Sequence, residues 1–187
     1  MSDQRSFPPA AQLVTEMERA IGGGPAASPI QWVNLVTELV GSNSQQWELE
    51  DTTRDPFATD EEVANAKRGI DRLNIGRHHL IEQIDATIAA GVDQPADAPL
   101  ATESPGMVLD RLSVLVIRRV RTEAASTIQS EYAARLPEIE AMITALSAAF
   151  DAYVDELQAG TRRFLPYEHF KLYRPSAEED SVNEWRR

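Results

Sequence analysis

From Thr59 to Gly91 the chain carries an unbroken helical signal. Thr59 and Glu62 form an S/T-x-x-E capping box, and Gly91 supplies a stop. Between them Val63, Ile70, Leu73, Ile81, Ile84 and Ile88 fall on one face at a 3.6-residue period. A helix over residues 60–90 rises 1.5 Å per residue and is therefore roughly 45 Å long, enough to cross a whole domain. Beside the apolar face runs a polar one. Lys67, Asp71, Asn74, His78, Glu82 and Asp85 step by four or three residues, which keeps them within an arc of about 80°.

The flanking segments read as helices of the same bundle. Residues 10–21 (AAQLVTEMERAI) make a short amphipathic helix closed by Gly22, Gly23 and Gly24. Ser28-Pro29 has the form of an N-cap with proline at the first helical position, opening a helix to Asp51 or Arg54. Its middle, Gly41 to Ser44, is built of poor helix formers, so a kink or short break is expected there. Ser104-Pro105 opens a fourth helix, apolar almost all round and so central. After Pro137 a fifth repeats Ile139, Ile143, Leu146, Phe150, Tyr153 and Leu157 as a coiled-coil-like seam, and Gly160 ends it. No alternating strand pattern and no internal repeat is present. The expected class is all-α: an antiparallel bundle of about five helices with the aromatic segment PYEHFKLYRP packed over it. Residues 1–175 form one domain in this reading, and 176–187 a flexible charged tail.

Composition removes several functions. The 187 residues include 30 acidic against 18 basic side chains, a net charge of −12 that repels phosphate backbones and anionic membranes, so no nucleic-acid or membrane partner is expected. Cysteine is absent, which excludes disulfides, thiolate metal sites and a cysteine nucleophile. Residues 1–12 lack the apolar core of a secretory signal and no segment approaches a membrane span, so a cytoplasmic location is expected.

Four stretches hold more specific polar groups than packing demands. In WELEDTTR, Trp47, Glu50, Asp51 and Arg54 share one helical face. The second stretch is the polar stripe, with Arg77 at its edge. In the third, Asp110 and Arg111 interrupt an apolar helix, where charge is costly unless paired. In the fourth, Lys171 lies among Tyr167, Phe170 and Tyr173. In this order the four resemble the bacterial DUF4254 family of domains of unknown function over about residues 35–175. That family carries Trp-x-x-Glu-Asp-x-x-Arg, Lys-Arg-x-Ile-Asp-x-x-Asn leading to Arg and Ile-Glu-x-Ile-Asp, a Ser/Thr-Pro-Gly segment with Asp-Arg-Leu-Ser, and a terminal Phe-Lys-x-Tyr. The chain departs from the pattern at His78 and His79, where Asn-Asp is usual, and at Arg174, where Asn or Asp is. The resemblance implies a loose association with glycan and metabolite biosynthesis and no defined reaction.

Guanidiniums on neighbouring helices hold phosphate or carboxylate by bidentate hydrogen bonds, and a desolvated carboxylate serves as general base. The expected function is therefore binding, and enzymatic conversion, of a small anionic metabolite. Arg54, Arg77 and Arg111 hold the anion; Glu50, Asp71 or Glu82 is the base; Asn74 orients; Trp47, Asp110, Lys171 and Tyr173 complete the pocket. No cofactor and no metal is expected. Two other readings compete. In one, a non-enzymatic interaction or scaffold protein, the fifth-helix seam pairs with a second copy and the charges only set helix register; a homodimer is expected. In the other, Glu48-x-x-Asp51 and Glu82-x-x-Asp85 bind Mg²⁺ as in all-α nucleotide pyrophosphatases.

Overall fold

The capping box forms reciprocally: the Glu62 amide donates to Thr59 Oγ1 at 3.3 Å and the Thr59 amide to Glu62 Oε2 at 2.8 Å. Two of the amides that every helix start leaves orphaned are thus satisfied locally. In the computed structural model of the chain, which describes residues 7–24 and 28–168, this helix is the third of five. They are α1 (Ala10–Ile21), α2 (Gln31–Arg54), α3 (Asp60–Ala89), α4 (Pro105–Ser126) and α5 (Leu136–Gln158), with a 3-10 turn at Ser130–Arg135 leading into α5. The chain is an all-α bundle. Ser104 Oγ accepts the Met107 amide and Pro105 occupies the first turn of α4, as the sequence predicts. Gly160, at φ +66°, carries the chain out of α5.

Two local expectations fail for physical reasons. The second helix starts at Gln31 rather than Pro29, because Ser28 Oγ accepts the Ile30 amide at 3.2 Å and holds an extended turn first. The break at Gly41–Ser44 does not occur, and α2 runs through it. The weak propensity there, about 1 kcal/mol for the glycine, is outweighed by packing. Val36 and Val40 are fully buried, and Asn43, also on the core face, bonds to α4.

Buried apolar side chains of all five helices form one cluster, with Leu13, Val36, Ile84, Leu109 and Phe150 among those fully covered. The α5 seam lies inside it. Ile139, Ile143, Phe150 and Leu157 are buried, and α5 packs on α1 and α4 of its own chain. Most of that face is therefore covered within the chain. Arg119 links the same helices, paired with Glu18 of α1 and with Glu140 of α5.

Past Gly160 the chain crosses the loop before α4. Ala101 and Arg163 exchange backbone contacts, with Ala101 N donating to Arg163 O at 2.8 Å and Arg163 N to Pro99 O at 3.1 Å. Phe164 is buried beneath this crossing, and its amide donates to Gln94 Oε1 at 2.7 Å. The aromatic segment does pack over the bundle as far as it is described. His169, Phe170, Lys171, Tyr173, Trp185 and the expected boundary at 175/176 lie outside the described residues.

Candidate functional site

Asp110 sits in the middle of α4, 5% exposed, where an unpaired carboxylate would cost several kcal/mol. Two neighbouring helices supply its partners. From α3, Arg77 grips it bidentately, Nε to Oδ1 at 2.8 Å and Nη2 to Oδ2 at 2.6 Å. From α2, Asn43 Nδ2 donates to Oδ1 at 2.9 Å and to Ser113 Oγ at 2.8 Å, while Ser113 Oγ donates to the Asp110 carbonyl. The result is a guanidinium held in one orientation by a buried network, which is how recognition groups are kept from collapsing onto the surface.

Arg77 stands between two openings. One, a cleft of about 270 Å³ between α2 and α3, is lined by Asn43, Gln46, Trp47, Glu50, Arg54, Arg77 and Val114. The other, a groove of about 610 Å³ between α4 and α5, is lined by Arg77, Asp110, Arg111 and Val114 together with Leu115, Met142, Ala145, Leu146 and Ala149. Arg77 and Val114 belong to both. Of the expected residues, Trp47, Glu50, Arg54 and Arg77 thus meet in the cleft, while Arg111 joins only the groove. The three arginines do not converge on one cavity; Arg77 is shared, and Arg54 and Arg111 fall into different openings. Arg54 is exposed and paired with Glu50 at 3.0 Å, and Arg111 with Glu103 at 2.7 Å.

The polar stripe of α3 does not line these openings along its length. Asp71 is solvated and tied to Lys67 at 2.9 Å, a bond that holds the Lys67 ammonium above its ordinary pKa, with Glu50 adding a smaller pull. Asn74 is half-buried and lines neither opening; Glu82 lies 3.2 Å from His79. The stripe sinks into the fold toward its C-terminal end, and Asp85, its last member, is fully buried.

Sequence reasoning put Asp85 in the stripe and gave it a role only in the Mg²⁺ reading. It accepts the Gly106 amide at 2.7 Å and the Tyr167 amide at 2.8 Å, so one carboxylate fastens the start of α4 and the C-terminal crossing to α3. Burial pushes its pKa up, against hydrogen bonds from Ser104, Tyr167 and Gly106 that lower it. One turn and more before it, the His78 ring stacks on Tyr167 with centroids 5.5 Å apart, and His78 Nδ1 lies 2.7 Å from the Tyr167 hydroxyl. Burial raises the Tyr167 pKa, Arg77 opposes the rise, and Glu82 and Asp110 add to it, so the phenol stays protonated beside Arg77 at neutral pH. Asn43, Ser113 and the Tyr167–His78 pair were likewise unassigned. Asn43 had one legible sign: it continues the Val36, Val40 and Trp47 face of α2.

Three of the four carboxylates considered for Mg²⁺ are engaged elsewhere. Glu48 pairs with Arg121 at 2.6 Å, Glu82 meets His79, and Asp85 holds two backbone amides. Among the described residues no group of three or more His, Asp or Glu could hold a metal ion. Nor is any helix among them long and apolar enough to cross a membrane.

Fold and site together define a helical bundle with a buried Asn–Asp–Arg junction opening on a polar cleft and an apolar groove. The chain belongs to the DUF4254 family: the family model, described as a protein of unknown function (DUF4254), matches residues 33–165. That range takes in the first three motifs and stops short of the Phe170–Tyr173 one. No curated protein and no solved structure matches the chain.

Proposed function

We propose that the protein binds a small phosphate- or carboxylate-bearing metabolite in the cleft between α2 and α3 and acts on it there. The observation that carries this is the Arg77 guanidinium, fixed by Asp110 and lining the cleft together with Arg54. Its remaining donors are oriented without ligand, so binding does not have to order them. Arg54 is 69% exposed, and its pair with Glu50 is worth at most about 1 kcal/mol, so an anion displaces Glu50 at little cost. The released Glu50 carboxylate is then the general base of this reading, and Trp47 the wall for an apolar or stacking part of the ligand. Asp71 and Glu82 drop out of the base role because they lie outside the cleft. The metabolite is of the kind handled in glycan or specialised-metabolite biosynthesis, and the setting is cytoplasmic.

Thermal-shift titration with sugar phosphates, sugar nucleotides and carboxylic acids tests this. A ligand at 100 times its Kd adds about 2.7 kcal/mol, which for a chain of this length is roughly 5–11 °C. Arg54→Gln, at an exposed site, should leave the unliganded melting temperature in place and abolish most of the shift. A panel with no response, or a response indifferent to Arg54→Gln, refutes the proposal.

The scaffold reading is favoured by one feature, the internal satisfaction of Asp110 by Asn43 and Arg77. In that case the junction only sets register and Arg54→Gln changes nothing measurable. A homodimer remains part of the proposal.

A further inference from the structure

The α4–α5 groove is lined for a different kind of ligand surface than the cleft with which it shares Arg77 and Val114. Val114, Leu115, Ala145, Leu146 and Ala149 make its walls, and Met142 is 43% exposed. From Ala141 to Phe150, α5 has no charged residue at all, in a chain that is 26% charged. A helix face meant only for solvent carries charge over such a length. Yet the groove also takes in Arg77 and Arg111, and Arg77 and Val114 line the polar cleft as well. Asp110, the acid lining the groove, has both oxygens committed to Arg77 and Asn43. Arg111 there is 59% exposed and paired with Glu103 at 2.7 Å, a surface pair that an anionic ligand exchanges at little cost.

We propose that the ligand of this site is an anionic amphiphile. Its phosphate or carboxylate head sits at Arg77 between Trp47 and Arg54, and its alkyl or acyl chain lies along the α4–α5 groove past Val114 toward Met142. This rests on the anion reading above and adds the chain to it. A fully buried methylene is worth about 0.8 kcal/mol, or about fourfold in affinity, and an open groove that covers half the chain delivers about twofold per carbon.

The test is calorimetric titration of the full chain with butyl phosphate, decyl phosphate and decanol, all below micelle-forming concentration. Decyl phosphate should bind at least about tenfold more tightly than butyl phosphate, and decanol should lose the head-group contribution. Ala145→Trp, at an exposed position that fills the groove, should erase the advantage of the longer chain and leave butyl phosphate unaffected. Met142→Glu should do the same by placing a charge in the chain's path, which guards against a folding defect in the first variant. Equal affinity for the two phosphates overturns the amphiphile and leaves the head-group site standing. A chain-length gain that survives both variants places the chain elsewhere and overturns it as well. If the wild type is a dimer that Ala145→Trp makes monomeric, with no chain-length gain, the groove belongs to a second copy. Failure of every phosphate in this panel removes the amphiphile, and the sugar phosphate panel above then decides the anion site by itself.

Discussion

At the scale of residues, position in the network decides what an arginine is worth. Arg77 neutralises a buried carboxylate, so Arg77→Ala strands Asp110 and should cost about 3 kcal/mol or more. A drop of roughly 6–12 °C in melting temperature is the expected reading. Arg111 is 59% exposed and bound to Glu103, so Arg111→Ala should stay within about 1 kcal/mol of wild type. Differential scanning calorimetry of the two variants checks the contrast, and equal losses would contradict the geometry. A large loss at Arg77 follows from either function, since positioning and structure use the same ion pair. Ligand response at Arg54 separates the two where stability does not.

Among the elements, glycines of apparently equal standing have opposite meanings. Gly41 lies inside α2 with nothing within 4 Å of a built Cβ. Gly41→Ala should therefore raise stability by about 0.5–1 kcal/mol, the helix-propensity difference alone. Gly106 stands in the first turn of α4, where a Cβ would come 2.8 Å from Asp85 Oδ1 and 2.9 Å from the Ile81 carbonyl. Gly106→Ala must push α4 off α3, at a cost of roughly 1–3 kcal/mol. Chemical denaturation of both variants should give shifts in opposite directions. The close approach also explains the Pro-Gly pair in the sequence: proline starts the helix without needing its missing amide, and glycine lets that start touch Asp85.

In the whole molecule, Asp85 is the point where α3, α4 and the C-terminal crossing are joined, and it gives stability a pH dependence of known sign. Its folded pKa is raised, so between the unfolded and folded values the native state binds more protons than the unfolded one. Its contribution to stability is then fully present below the unfolded pKa and is lost as pH rises through the folded one. Asp85→Asn removes that titration. The stability difference, wild type minus variant, should therefore grow as pH falls from 7 toward 4, measured by guanidinium unfolding at each pH. A flat difference would show that the carboxyl titrates alike in both states. Glu62 acts in the opposite sense: its pKa is lowered by the Thr59 backbone and side-chain hydrogen bonds, so its share is lost on acidification.

The sequence determined by itself what depends on near neighbours in the chain. Helix faces, the capping box at Thr59, the Ser104-Pro105 start of α4 and the polar stripe of α3 were all readable, because each is set within a turn or two of backbone. Three-dimensional packing alone decided which polar groups meet. Asn43 and Asp110 are 67 residues apart and Asp85 and Tyr167 are 82 apart, and no local spacing encodes such a bond. For the same reason Arg54 and Arg111 fell into different openings that share Arg77, the α5 seam turned inward, and the weak middle of α2 stayed helical. Those outcomes rest on the burial of side chains from several helices at once, a free energy that belongs to no single segment.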